Sequence, residues 1–192
     1  MLDFVKRYGG NKYSQNGEDG IIGEILWRIR RKKIWSGVCV EFGGHDGYYC
    51  SNTRKLIEDG WKGYMYDAVP LSKDVQEKII TPDNVNELPK CNVLSIDTDG
   101  EDYLIWKAYK GKPEIVIIEI NSSFHPDVEY WDPGNGCSYL KMVRLGHEKG
   151  YFLLCHTGNL VFVRNDFRKL FPEIKGEATR DFDLWFNKSW LN

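Results

Sequence analysis

The feature of this sequence that most limits its fold is a strand-like run followed by a glycine-rich turn and a helix start, residues 38–60. The run VCVEF is apolar and β-branched, as is typical of a buried parallel strand. Gly43, Gly44 and Gly47 supply the turn, and the polar residues 51–53 can cap the helix that follows. Strand, glycine turn and helix in this order predict an α/β domain whose main chain approaches a ligand closely.

The spacing of acids and glycines indicates the kind of ligand. The turn has the pattern E-x-G-x-x-x-G, from Glu41 to Gly47, rather than the G-x-G-x-x-G of dinucleotide sites. An acid at the strand end repels a pyrophosphate and favours a cationic group. Asp67, twenty residues after Gly47, ends the next predicted strand, where a carboxylate can accept ribose hydroxyls. These residues predict S-adenosylmethionine; the alternative is an ordinary buried strand and turn in another α/β domain.

Composition limits the domain count and the partners. The 192 residues, 42% hydrophobic and 28% charged, predict one domain, with residues 1–12 as a lead-in and 165–192 as an extension packing on the core. A net charge of −2 gives no electrostatic basis for binding nucleic acid. Five scattered cysteines without a C-x-x-C pair, no membrane-spanning run and no apolar segment at the N-terminus predict a cytoplasmic protein. The oligomeric state is not predicted.

The remaining elements predict the sheet. NVLSID (92–97) and EIVIIEI (114–120) are further strand candidates, and YFLLCH and NLVFVR form a predicted hairpin through Thr157 and Gly158. Strands that alternate with helices and end in an antiparallel hairpin predict the Rossmann-like fold of class I methyltransferases, with a mostly parallel sheet. Residues 71–90 are too few for a full helix–strand–helix unit, so we expect an abbreviated third-strand region.

Several segments resemble the FkbM-like family of S-adenosylmethionine-dependent methyltransferases. The resemblance covers Tyr13 to Asp166, and its most specific parts are SQNGED, IDTDGEDY and EIN. It implies a Rossmann-like fold and methyl transfer, commonly to a hydroxyl oxygen of a sugar or polyketide. Two positions depart from the family pattern: His45 replaces the middle glycine of the turn, and the segment near residues 78–84 is short, leaving only Thr81 and Asp83 as candidates for adenine contact.

Polar residues at the ends of the fourth and fifth predicted strands are the candidates for chemistry. Asp97 and Asp99, like Glu119 and Asn121, are two residues apart, so each pair can point to one side of an extended chain. These four oxygen donors form a predicted site for Mg²⁺ or another divalent cation, similar to that of metal-dependent catechol-type O-methyltransferases. The alternative is that the two aspartates cap the next helix and Glu119 pairs with a lysine or a backbone N–H.

The predicted roles are as follows. We expect the cofactor to contact the first loop, the second strand end and the fourth strand end: Glu41, Gly43, Gly44, His45, Asp46, Gly47, Asp67, Ala68 and Asp97. Asp99, Glu119 and His125 are the candidates for catalysis, His125 lying in a long loop after the fifth strand. An O-methyltransferase acting on a glycan or small metabolite is the first functional hypothesis. A module that keeps the fold without catalysis is the second, and a nucleic-acid methyltransferase is the third.

Overall fold

The computed structural model describes residues 2–31 and 37–174. The helices are α1 (Leu2–Tyr8), α2 (Glu18–Ile29), α3 (Arg54–Glu58), α4 (Asp102–Ala108) and α5 (Tyr139–Glu148). The strands are β1 (Val38–Phe42), β2 (Lys62–Asp67), β3 (Gln76–Glu77), β4 (Val93–Ile96), β5 (Ile115–Glu119), β6 (Trp131–Asp132), β7 (Gly136–Cys137), β8 (Tyr151–His156) and β9 (Asn159–Arg164). Short 3-10 turns cover Val85–Glu87 and Asn165–Leu170.

The main sheet has the predicted mixed architecture. Within the described ranges its strand order is β3-β2-β1-β4-β5-β9-β8, with parallel pairing from β3 to β5. The hairpin β8–β9 joins antiparallel to β5, as the sequence predicted. The third strand has only two residues, which confirms the abbreviated region. The fold is therefore Rossmann-like α/β, and the order reverses between β1 and β4, where such sheets bind ligands.

The central strands are buried on both faces because they are continuous apolar runs. Ile115 and Ile117 face one apolar layer, together with α1, α2 and α3 residues. Val116 and Ile118 face the other layer, which contains residues of α4 and α5. This alternation fixes which face each side chain at the end of β5 can reach, since successive strand residues point to opposite sides.

The N-terminal residues differ from the expected lead-in, because residues 2–8 form α1. Phe4 is 3% exposed, and its ring lies 6.3 Å from that of Phe171, so an apolar contact holds the segment to the core. The hydroxyl of Ser14 accepts a bond from the N–H of Asp19 in the first turn of α2, while the residue that precedes the helix is Gly17, which has no side chain to cap it.

The C-terminal extension packs on the core as far as residue 174, through Phe171 and Ile174. Its remainder, residues 175–192, lies outside the described residues. Among the helices that are described, none combines the length and apolar character needed to cross a bilayer.

Candidate functional site

The turn after β1 packs tightly against the end of β4. Gly43 has φ +73°, and a Cβ at this position would lie 1.7 Å from the main-chain oxygen of Asp97, so only glycine fits. His45 also has a left-handed main chain, with φ 47°. Its N–H donates to Oδ2 of Asp67 over 2.8 Å, which ties the turn to the end of β2. The glycine turn thus brings β1, β2 and β4 together at one edge.

Glu41 is placed differently from the prediction that it contacts the cofactor. Its side chain is buried, and its carboxylate accepts bonds from Ser51 Oγ, Asn52 N and Thr53 Oγ1 at 2.6–2.8 Å. Burial raises the pKa of Glu41, and these donors oppose the rise. Glu41 therefore organises the segment that leads into α3. The physical reason is that its side chain lies on the same face of β1 as Cys39, the face covered by α2 and α3.

A first cavity, called here the β2 cavity, opens beside this turn. Its volume is about 250 Å³. Four of the predicted cofactor residues line it, namely Gly43, Asp67, Ala68 and Asp97, and the remaining wall is Phe42, Tyr66, Lys78, Ile79, Ile80, Thr81, Thr98, Asp99 and Glu101. Thr81 thus lies where an adenine contact was expected. The predicted residues Gly44, His45, Asp46 and Gly47 belong to the adjoining turn and do not occur among the described wall residues.

The carboxylate of Asp67 is already ordered by the protein. Its Oδ2 accepts from His45 N and its Oδ1 from Val69 N, both over 2.8 Å. A carboxylate oxygen has a second lone pair, so each oxygen can still accept a hydroxyl from the cavity. Asp46, by contrast, accepts from the N–H groups of Tyr48 and Tyr49, and these bonds lower the pKa of Asp46. Asp46 therefore shapes the loop.

Three acidic side chains meet at the ends of β4 and β5. Carboxylate oxygens of Asp97, Asp99 and Glu119 lie within 4.8 Å of one another. We call these three residues the acid cluster. Two negative charges this close repel each other, which favours a proton on one carboxyl of the cluster. Three of the four predicted metal ligands, and two of the three predicted catalytic residues, are thus brought together.

The environment of the acid cluster favours a protonated carboxyl. Burial, followed by the nearby Asp97 charge, raises the pKa of Glu119 to about 8. Burial, followed by the nearby Asp102 charge, raises the pKa of Asp97 to about 6. A carboxyl that exchanges its proton near neutral pH is suited to general acid–base chemistry.

Asp102 is a neighbour of the acid cluster that the sequence did not single out. It accepts bonds from Thr98 N, Thr98 Oγ1 and Gly100 N, and it begins α4. Asp102, rather than Asp97 or Asp99, therefore closes the turn before the helix. In this turn Asp99 has φ 56°, a left-handed conformation. Its side chain belongs to the acid cluster and also lines the β2 cavity. The signal available in the sequence was an acid at the first helical position.

A second cavity, the β5 cavity, lies on the other side of the acid cluster. Its volume is about 400 Å³. Its walls come from the β4 and β5 ends and from the β6–β7 hairpin: Asp99, Gly100, Asp102, Glu119, Ile120, Asn121, Ser122, Gly134, Asn135, Gly136 and Cys137. Asp99 lines both cavities, so the two spaces share a wall at the acid cluster.

Asn121 lines the β5 cavity, but its oxygen is used elsewhere. Oδ1 accepts from the N–H and the hydroxyl of Ser123, and Nδ2 donates to Asn135 O over 2.7 Å. The predicted fourth metal ligand therefore holds the loop after β5 to the β6–β7 hairpin. Because the chain turns tightly after β5, Ser123 and Asn135 lie nearer to the Asn121 side chain than the acid cluster does.

The β6–β7 hairpin is fixed over the Asp99 turn. Trp131 Nε1 donates to Gly100 O over 3.1 Å, and its ring lies 5.8 Å from that of Tyr103. Asp132 Oδ1 accepts from Gly134 N and Asn135 N, which orders the tip. The sequence alone indicated no single role for the aromatic residues of this loop. The run WDPGNG was the turn signal that could have identified the hairpin.

His125 is not brought to the site. Its side chain is exposed, and Nδ1 accepts from the N–H of Asp127 over 3.2 Å. Among the described residues that line the two cavities, His125 does not occur. A residue within a long loop has no register that directs it to the sheet edge, so spacing from β5 did not predict its position.

Comparisons with known proteins leave the family open. The sequence matches no protein-family model and no curated protein. A structure described as "Putative hemolysin from Streptococcus thermophilus" is similar to this chain with TM-score 0.48 and 14% identity, over 82% of this chain and 69% of the other. Magnesium protoporphyrin IX methyltransferase from Synechocystis PCC 6803, solved with bound SAM, is similar with TM-score 0.38 and 12% identity, over 85% of this chain and 90% of the other.

At these identities and TM-scores neither likeness carries an argument about function. The fold assignment rests on the strand order and the antiparallel hairpin. The FkbM-like resemblance remains a prediction, because neither the family models nor the curated proteins include a match.

Proposed function

We propose that this protein is an S-adenosylmethionine-dependent methyltransferase that acts on a hydroxyl oxygen. The observation that carries the proposal is the meeting of two cavities at the acid cluster, on the carboxyl edge of the parallel strands. Methyl transfer needs a cofactor space and an acceptor space that touch at one point, and a group at that point to take a proton.

The β2 cavity is the proposed cofactor space. Asp67 would accept the ribose hydroxyls, while Ala68 and Thr81 would contact the adenine ring. Gly43 allows the main chain to lie against the cofactor, because it has no side chain on that wall. Asp97 lies at the inner end of the cavity, where a carboxylate attracts the positive sulfonium group. Glu41 would support this space indirectly, by holding the segment that leads into α3.

The β5 cavity is the proposed acceptor space, with a sugar, glycan or other small hydroxylated metabolite as its occupant. The acceptor oxygen would attack the methyl carbon, the carbon–sulfur bond would break, and its electron pair would remain on sulfur. The hydroxyl proton would pass to a carboxylate of Asp99 or Glu119. The raised pKa of Glu119 makes that carboxyl a base matched to neutral conditions.

A divalent cation such as Mg²⁺ is the alternative partner of the acid cluster. Three carboxylates are the hard oxygen donors that such an ion prefers, so Asp97, Asp99 and Glu119 fit it, without Asn121. A bound ion would lower the pKa of the acceptor hydroxyl. Binding of the ion would also displace the proton that the raised pKa of Glu119 retains, which gives a readout independent of activity.

A second candidate function is a cofactor-binding module without catalysis. It is favoured by the number of site carboxylates that bond within the protein, since Glu41, Asp67 and Asp102 each accept bonds from neighbouring groups. A nucleic-acid methyltransferase is disfavoured by the acidic walls of the acceptor space and by the net charge of −2.

The test is calorimetric binding of S-adenosylmethionine and S-adenosylhomocysteine. We expect both to bind, and Asp67→Ala to weaken both by at least about tenfold. Asp166→Ala, a change at the opposite edge of the sheet, is the control and should bind normally. Absence of binding by the folded wild-type protein would overturn the proposal. Uptake of Mg²⁺ with proton release, lost in Glu119→Ala, would support the metal-assisted form.

Binding without methyl transfer to any hydroxyl acceptor would favour the module. The acceptor panel for this step consists of neutral, amine-bearing and phosphorylated sugars, each incubated with S-adenosylmethionine. Formation of S-adenosylhomocysteine that depends on the acceptor, and that is lost in Glu119→Gln, would favour the enzyme.

A further inference from the structure

The walls of the β5 cavity carry a strong bias of charge. Three of its residues are acidic, namely Asp99, Asp102 and Glu119, and the described wall contains no lysine, arginine or histidine. The β2 cavity differs, since Lys78 lies on its wall. An occupant of the β5 cavity therefore meets carboxylates on a wall that has no cationic residue of its own.

The hydrogen-bonding groups of the same wall show a second, independent bias. Gly100 N donates to Asp102, Asn121 Nδ2 donates to Asn135 O, and Gly134 N donates to Asp132. The side-chain amide of Asn135 also donates to Asp132. Each of these groups therefore already gives one hydrogen bond within the protein. The carboxylates of the wall are acceptors, so a ligand that binds to them has to supply donors.

We propose that the acceptor carries a protonated amine beside the reacting hydroxyl, as in an amino sugar, and that phosphorylated sugars are excluded. This inference rests on the proposed function and names the substrate class of its acceptor space. The ammonium group would donate to the carboxylate of Asp99 in a charge-assisted hydrogen bond, and to the carbonyl oxygen of the Glu119 carboxyl, in a partly enclosed site. A phosphate would meet the repulsion of the same carboxylates.

A protonated amine on the acceptor is also consistent with transfer of the methyl group to oxygen. A protonated amine has no lone pair, so its nitrogen cannot attack the methyl group while it is bound to the carboxylates. The neighbouring hydroxyl keeps its lone pairs, and the adjacent positive charge makes its proton easier to remove. The bond between oxygen and the methyl carbon forms as the carbon–sulfur bond breaks, sulfur keeps the electron pair, and a carboxylate of the acid cluster takes the hydroxyl proton.

The test compares three probes of similar size on protein loaded with S-adenosylhomocysteine: glucosamine, glucose and glucose 6-phosphate. Affinities are measured by calorimetry at mildly acidic pH, where the amine is protonated. We expect glucosamine to bind about tenfold more tightly than glucose, and glucose 6-phosphate to bind most weakly. Asp99→Asn should remove most of this preference, bringing the affinities for glucosamine and glucose close together. Asparagine tolerates the left-handed main chain of residue 99, so the variant should fold.

Asp166→Asn is the matched control, and it should keep the preference for glucosamine. Tight binding of glucose 6-phosphate, or a preference for glucosamine that survives Asp99→Asn, would overturn the inference. The inference is also overturned if S-adenosylhomocysteine binds but none of the three sugars does. In that case the proposed function stands. Failure of S-adenosylhomocysteine itself to bind would remove the proposed function and the inference together.

Discussion

Asp97 and Glu119 lie side by side because the parallel register of β4 and β5 continues for one residue beyond Ile96 and Ile118, the last buried pair of the two strands. Ile96 pairs with Ile118 in this parallel register, so the next residue of each strand reaches the carboxyl edge at the same height. Their carboxylate oxygens then lie within 4.8 Å of each other in a half-buried position. Two acids this close cannot both ionise freely, and the pair retains a proton that exposed carboxylates would lose.

The first prediction concerns stability and pH. The pKa of Glu119 is raised from 4.5 to about 8, so the folded state holds a proton that the unfolded chain releases. The stability that this proton contributes is fully present below about pH 4.5, the pKa of Glu119 in the unfolded chain. It is lost as the pH rises through about 8, the pKa of Glu119 in the folded protein. Wild-type stability should therefore fall between about pH 4.5 and about pH 8. Glu119→Gln should reduce this fall and gain on the order of 1 kcal/mol above that range.

Urea unfolding at a series of pH values measures this change. Asp166→Asn is the control, because the Arg164 partner lowers the pKa of Asp166, so its loss should give no gain at high pH. If the pH dependence of unfolding in Glu119→Gln is the same as in wild type, the raised pKa of Glu119 is contradicted.

The second prediction concerns the contact between the glycine turn and β4. Gly43→Ala places a Cβ against the main-chain oxygen of Asp97, at 1.7 Å, and the main chain cannot yield without separating the strands. We expect a loss of more than about 3 kcal/mol in the free energy of unfolding. Gly60→Ala is the comparison, since φ there is also positive but no heavy atom of the described residues lies within 4 Å. It should cost about 1–2 kcal/mol, from main-chain strain alone. Equal losses in urea unfolding would contradict the packing argument.

The third prediction separates a supporting role of Glu41 from a cofactor contact. Glu41→Gln removes a charge that accepts from Ser51, Asn52 and Thr53, and its amide N–H₂ would face those donors. We expect a loss of about 2–3 kcal/mol in the free energy of unfolding. The affinity of the remaining folded protein for S-adenosylhomocysteine should stay within about threefold of wild type. A large loss of affinity without a loss of stability would restore Glu41 as a cofactor contact.

The fourth prediction concerns the β6–β7 hairpin. Trp131→Phe keeps an aromatic ring beside Tyr103 but removes the bond from Nε1 to Gly100 O. We expect the free energy of unfolding to fall by about 1 kcal/mol. Because Gly100 adjoins Asp99, methyl transfer should slow more than cofactor binding weakens. Single-turnover kinetics and calorimetry measure the two effects, and Trp27→Phe, at an exposed position of α2, is the control. A loss confined to cofactor binding would contradict the assignment of the hairpin to the acceptor side.

Much of the fold could be predicted because local pattern and burial agree. The continuous run in β5 predicted a strand covered on both faces, and the hairpin of β8 and β9 was predicted from its turn at Thr157 and Gly158. The short segment between β2 and β4 predicted the two-residue β3, since chain length limits what can form. The helix α1 was missed because a few residues have no helical preference strong enough to show without the contact of Phe4 with Phe171.

The sequence by itself determined the order of elements and the residue types at the strand ends, because periodicity and glycine placement act over a few neighbouring residues. Only the tertiary structure decided which carboxylates meet, since β4 and β5 register joins Asp97 to Glu119 across the sheet. It also decided that Glu41 turns inward and that His125 stays exposed in its loop. The raised pKa of Glu119 depends on burial among residues distant in the chain, and burial is a property of the packed molecule that no local spacing contains.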